Sequence, residues 1–136
     1  MKLKFFSLIA CIILLASCST SDDGNSETNN NGNNNTPQPL MGTFVDGAHP
    51  TSGTVVVNAE RTTMNFTDFM TDFGPILNVY LCTNQECGNF IDLGELQALS
   101  GDFSYNLSQN LNFDSYEYVV IWCVEFSVGF GSAKLE

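Results

Sequence analysis

Short alternating segments, separated by turn residues, recur through residues 41–136 and constrain the fold more than any other feature of the chain. β-branched and aromatic residues dominate these segments, and Gly, Pro, Asn and Asp bound them, which is typical of strands. The segments read GTFVDG, GTVVVNAE, RTTMNFTDF, ILNVYLCT, NFIDLGEL, GDFSYNL and the closing YVVIWCVEFSVGFGSAKLE. We expect the closing segment to form two strands, broken near residues 125–127 or at Gly129. The pattern predicts an all-β fold, an antiparallel β-sandwich of about seven to eight short strands.

Two faces alternate along the closing segment because successive side chains of a strand point to opposite sides. An aromatic face runs from Tyr118 to Phe130, and we predict that it packs on the core. The other face carries Cys123 between Ile121 and Glu125. These two neighbours do not favour a thiolate, which argues against a bare reactive nucleophile.

The first 17 residues read as a signal peptide rather than as part of the fold. Lys2 and Lys4 form a basic region, and the apolar run that follows is too short for a membrane-spanning helix of about 20 residues. The sequence LASC at residues 15–18 is similar to a bacterial lipobox, so we predict that Cys18 is lipidated and holds the protein on a membrane. The acidic SDD that follows resembles the export signal of surface lipoproteins in the Bacteroidetes. We therefore expect an outer-membrane lipoprotein at the cell surface.

Residues 18–40 are predicted to be a lipidated cysteine and a disordered linker, because an Asn-rich stretch without apolar side chains cannot offset the entropy of ordering. Residues 41–136 are predicted to be one domain. Removal of the signal peptide leaves Arg61 and Lys134 against 15 acidic residues, a formal charge of −13. Such a field repels nucleic acid and anionic lipid headgroups, so the acyl anchor is the membrane contact that we expect.

Three cysteines remain after Cys18, and three allow one disulfide and one odd thiol. Cys82 and Cys87 enclose the short loop TNQE, which favours a bridge between them, while a bridge from Cys123 to either one is the alternative. A free Cys123 is either a small buried side chain or a redox or ligand group. One histidine, His49, cannot complete a zinc site, so no metal centre is predicted.

The domain resembles the DM-thirteen family, which is classified as an electron-transfer domain. The resemblance rests on GTFVDGAHPTSGTV, LNVYL after Gly-Pro, DLGEL, and above all VVIWCVEFSVGFGSAKL. It implies a redox role for Cys123, as a free thiol or as the ligand of a prosthetic group such as haem, with Trp122 and Glu125 as supporting neighbours. A second axial haem ligand would then come from His49 or from Met64 or Met70, which are ligand types that haem iron accepts.

Two classes of function follow from these observations. The first is a membrane-anchored, non-enzymatic redox module with Cys123 as its centre, acting on a redox partner. The alternative is a surface interaction module that binds a protein or a glycan through loops such as FGPIL or NQECGN. A hydrolase is not expected, because a single histidine does not assemble into a nucleophile, base and acid set.

Overall fold

The computed structural model describes residues 36–136, so the predicted signal peptide, the lipidation of Cys18 and most of the predicted linker lie outside the described residues. Eight strands and no helix are present in the described part, and the predicted all-β fold is confirmed. The strands are β1 Leu40–Asp46, β2 Thr51–Val57, β3 Thr63–Thr71, β4 Leu77–Cys82, β5 Phe90–Glu95, β6 Ser100–Asn106, β7 Tyr118–Cys123 and β8 Val128–Lys134. Among these residues, nothing helical is long and apolar enough to cross a membrane.

All strand pairs are antiparallel, in the order β5-β4-β7-β8-β1-β2-β3-β6. β1 divides its pairing: residues 40–43 pair with β2, and residues 44–46 pair with β8. The sheet therefore folds over at β1 into a sandwich with two halves. The edge strands are tied together by Tyr105 of β6, whose hydroxyl donates to the Glu95 carbonyl oxygen of β5 at 2.7 Å.

The core lies between the two halves and is built from alternate residues of the strands. Phe66 stacks on Phe103 and on Phe44, and Phe69 meets all three rings edge-on. Burial of each large apolar side chain contributes about 1.5–3 kcal/mol. The fully buried residues of this cluster are Val55, Val57, Met64, Phe66, Phe69, Val79, Leu81, Val119, Ile121, Cys123 and Ala133.

The predicted core face of β7 is wrong. Val119, Ile121 and Cys123 point into the main core, whereas Tyr118, Val120 and Trp122 lie on the outer face of the sheet. Both faces of this strand are apolar, and the outer one is covered by its own small cluster with Tyr80 and the 82–87 disulfide. The predicted break near residues 125–127 is confirmed as a turn, with a positive φ of 50° at Ser127.

The loops collect at the two ends of the sandwich. We call the end formed by residues 47–50, 72–76, 96–99 and 124–127 the thiol end, because Cys123 lies at its base. We call the opposite end, formed by residues 58–62, 83–89 and 107–117, the disulfide end.

Candidate functional site

Cys123 is the last residue of β7 and is fully buried in the core. Its strand neighbours are Leu77 on β4 and Val128 on β8, so both neighbouring side chains share its face. Within residues 36–136 it is the one cysteine outside a disulfide. A thiol in this position is shielded from solvent and can react only after its cover moves.

The predicted disulfide between Cys82 and Cys87 is confirmed, with a Cα–Cα distance of 4.8 Å. The loop is closed by two backbone hydrogen bonds, from Thr83 N to Asn89 O and from Cys87 N to Asn84 O, at 3.0 and 3.1 Å. Cys82 lies five residues along β4 from Leu77, the partner of Cys123. At about 3.4 Å per residue this separation is roughly 17 Å, so Cys123 cannot exchange with this bridge in the folded domain.

His49 lies at the thiol end, in the loop between β1 and β2. Its ring stacks on Phe130 with a centroid distance of 3.9 Å, and its backbone N–H donates to the Phe130 carbonyl oxygen at 3.1 Å. The His49 Nδ1 atom is 3.1 Å from Oδ2 of Asp72, which begins the next thiol-end loop. Both side chains are substantially exposed, at 39% and 54%. His49 therefore links the two loops that flank the buried thiol.

Gly74 allows the 72–76 loop to pack closely on Leu77 and Phe130. A Cβ atom at this position would lie 2.8 Å from Cδ2 of Leu77 and 2.9 Å from Cζ of Phe130. These are closer than side chains tolerate, so the loop depends on the glycine. The loop therefore lies against Leu77, the strand partner of Cys123, and against Phe130, whose ring stacks on His49.

Of the other predicted site residues, Glu125 reaches the thiol end and Trp122 does not face the thiol. Glu125 is exposed in the turn after β7. Trp122 lies on the outer face and stacks on Tyr80 at 6.0 Å, and Tyr80 stacks on Phe90 at 4.3 Å. Burial, and to a lesser degree the nearby Asp92, raises the pKa of Tyr80 above its usual value. Trp122 therefore belongs to a surface aromatic stack behind the thiol rather than to its immediate surroundings.

The residues present do not fit a haem held between Cys123 and a second ligand. The His49 ring is engaged by Phe130 and Asp72. Met64 is fully buried near the disulfide end of β3, seven residues or roughly 23 Å from Thr71, and Met70 is exposed. No group of three or more His, Cys, Asp or Glu side chains within residues 36–136 is arranged to hold a metal ion.

A cleft of about 300 Å³ opens at the thiol end, at the lower limit of the usual size of ligand pockets. Leu77 forms part of its floor, and Glu95 and Gln97 contribute polar groups. Its remaining lining is mainly apolar and comes from Phe73, Gly74, Pro75, Ile76, Leu96, Ala98 and Leu99. Sequence reasoning missed Asp72, Leu77 and Phe130 as parts of this site, and the Gly-Pro pair at residues 74–75 was the only local signal for it.

Comparison with known proteins gives one match. The family model described as "Electron transfer DM13" matches residues 43–135. No curated protein and no solved structure matches the chain. The match begins within β1, ends just after β8 and covers well over half of the 136 residues. The chain therefore belongs to the DM13 family of electron-transfer domains.

Proposed function

We propose that this chain is a cell-envelope redox module, anchored through a lipid on Cys18, in which the Cys123 thiol exchanges with an oxidised partner. The observation that carries the proposal is the pairing of the cysteines in the described part of the chain. Cys82 and Cys87 are joined at one end of the domain, which leaves Cys123 unbridged at the other end. Membership of an electron-transfer family supports a redox role for that remaining sulfur.

The proposed step is a thiol–disulfide exchange, in which the module is a carrier rather than an enzyme. The disulfide bond of the partner breaks, and a bond forms between the Cys123 sulfur and one partner sulfur. The electron pair of the broken bond leaves with the second partner sulfur, which takes up the proton that the Cys123 thiol gives up. A dithiol donor then attacks the Cys123 sulfur, which frees the partner as a dithiol, and the second donor thiol displaces Cys123 as the donor closes its own disulfide. Two electrons thus pass from the donor to the partner, and the Cys123 thiol is regenerated.

Burial of Cys123 supports a gated form of this exchange. In an oxidising compartment an exposed thiol is lost to adventitious oxidants, whereas a covered one survives until its cover opens. We propose that Leu77, Phe130 and the 72–76 loop are the cover of the thiol, because the loop packs on both side chains and Leu77 is the strand partner of Cys123.

Mass spectrometry of the mature, lipidated chain, which has lost Cys11 with the signal peptide and carries its lipid on the Cys18 sulfur, tests the proposal. The chain is incubated with cystamine, with bis(2-hydroxyethyl) disulfide and with glutathione disulfide, which are cationic, neutral and anionic. We expect one mixed disulfide per chain, located at Cys123 by peptide mapping, and none in Cys123→Ala. The acidic surface should make glutathione disulfide the slowest reagent. The proposal fails if the reaction of Cys123 is no faster than the equilibrium constant for global unfolding, measured in parallel by denaturant titration, predicts.

The alternative, a surface interaction module, is favoured by the exposed side chains of Phe73 and Phe126 at the thiol end. The two candidate loops lie at opposite ends of the domain, FGPIL at the thiol end and NQECGN at the disulfide end. Binding that depends on the first loop but not on Cys123 would support interaction without redox chemistry.

A further inference from the structure

We propose that the thiol end is a docking surface for a basic protein, in which an apolar centre is ringed by lysine or arginine side chains. The inference deepens the proposed function by naming its partner class, and it rests on that function only for the chemistry that follows docking. The surface itself is defined by exposed apolar side chains and by acidic side chains at the thiol end of the domain.

The apolar part of the surface consists of large side chains that the fold leaves in solvent. Phe73 is 78% exposed and Phe126 is 68% exposed, which is unusual for aromatic residues of a small domain. Ile76 and Leu99 are also exposed and line the same cleft as Phe73. Val124 joins them, because its backbone N–H donates to the Ile76 carbonyl oxygen at 2.9 Å. Exposed apolar groups gathered at one end of a domain in this way mark interaction sites.

The exposed phenylalanine side chains of the thiol end do not contribute to the packing of the core. Phe73 and Phe126 lie in loops, outside the ladders of the sheet, and neither belongs to the core clusters. In a module destined for aqueous surroundings, two exposed phenylalanine side chains are an aggregation hazard unless a partner covers them. The thiol end therefore has more apolar surface than folding requires.

The fixed charges around this apolar centre are of one sign, and the titratable His49 is held against Asp72. Asp72, Glu95 and Glu125 are exposed at the thiol end. The two fixed cations of the described residues lie at the other end: Arg61 is over the Phe113 ring, and Lys134 pairs with Tyr118 across the β7–β8 ladder. A partner with basic groups around its own apolar patch complements this surface, whereas an acidic partner or an anionic membrane is repelled.

The position of the surface relative to Cys123 explains why a protein should dock there. The cleft that contains Phe73 and Leu99 has Leu77 in its floor, and Leu77 is the direct strand partner of Cys123. A partner that engages the 72–76 loop thus contacts the cover of the thiol. Redox encounters of this kind are usually small and weak, with rates set by charge complementarity.

Nuclear magnetic resonance titration of the ¹⁵N-labelled full chain tests the docking surface. The probe is a lysine-rich c-type cytochrome in its ferrous state, which offers an apolar patch ringed by basic groups and cannot oxidise the thiol. We expect chemical-shift changes confined to residues 72–76, 96–99 and 124–127, and their loss as the ionic strength rises past the physiological value. An acidic cytochrome of the same fold should produce no changes.

Matched variants separate the docking surface from the redox centre. Phe73→Ser with Phe126→Ser should weaken binding on the order of tenfold or more, as expected for buried aromatic anchors. Phe90→Ser also removes an exposed phenylalanine, but one far from the thiol end. This control variant should not weaken binding. Cys123→Ala should bind normally, so a failure of the thiol chemistry leaves this result intact. Shifts at residues 83–89, equal binding of the acidic cytochrome, or indifference to the double Phe change would overturn the proposal.

Discussion

Disruption of the contact between His49 and Asp72 should expose the Cys123 thiol more often without unfolding the domain. His49 joins the 47–50 loop to the 72–76 loop through its Nδ1 atom, 3.1 Å from Asp72 Oδ2, and it stacks on Phe130. In the proposed cover of the thiol, Phe130 lies against the 72–76 loop. Replacement of His49 by Ala removes both contacts, and replacement by Phe removes only the polar one.

The size of the effect follows from the two contacts. A contact between two exposed polar side chains contributes about 0.2–1 kcal/mol, and a stacked ring pair adds about 0.5–1.5 kcal/mol. Loss of both contacts, about 0.7–2.5 kcal/mol, should raise the opening equilibrium by a factor of roughly 3 to 70. His49→Phe should raise it by only about 1.4- to 5-fold, because the aromatic ring remains against Phe130.

The assay is the rate at which N-ethylmaleimide labels Cys123 in the native chain, followed by intact mass, with global stability measured by denaturant titration. Asn58→Ala is the control, because Asn58 Oδ1 accepts hydrogen bonds from the N–H groups of Thr62 and Thr63 at the disulfide end. That variant should lose stability without a specific gain in labelling. If the labelling rate of His49→Ala rises no more than its equilibrium constant for global unfolding rises, the role of this contact as a gate is refuted.

Three further predictions follow from the fold. Cys82→Ser with Cys87→Ser opens a ring of six residues and should lower the free energy of unfolding by about 2 kcal/mol, which calorimetry would register as a melting temperature lower by roughly 8–16 °C; an unchanged melting temperature would contradict it. Cys123→Ser should cost about 1–3 kcal/mol by burial of a hydroxyl without a partner, and Cys123→Ala should cost less; equal stability in denaturant titrations would contradict this. Burial raises the pKa of Tyr105, so the folded state holds the phenolic proton more tightly than the unfolded chain, and stability should fall as the pH rises above about 10. Tyr105→Phe should show a smaller fall over that range in the same titrations, and an identical pH profile would contradict the assignment.

The features that sequence could predict are those set by short-range patterns. Alternation and turn residues located the strands, because the side-chain period of two and the conformational needs of turns act over a few residues. The bridge between Cys82 and Cys87 was predictable for the same reason, since only four residues separate the two cysteines.

The features that sequence missed depend on which strands become neighbours. His49 and Asp72 are 23 residues apart, and they come into contact because β2 pairs with β3 so that Thr51 lies opposite Thr71. The core face of β7 was misassigned because Val120 and Val119 are equally apolar, so alternation alone could not choose between the two sides. The side that faces inward is set by packing against β4 and β8, which no local pattern records.

The divided pairing of β1 has a mechanical consequence for a chain that is held from its N-terminal side. A pull on the segment before Leu40 enters the domain through β1, which has an antiparallel neighbour on each side, β2 along its first half and β8 along its second. Force along the strand axis loads these ladder hydrogen bonds in shear, so that they resist together rather than break one at a time. β1 also joins the two halves of the sandwich. Its removal from the sheet would therefore separate β8 from β2 and open the core around the thiol.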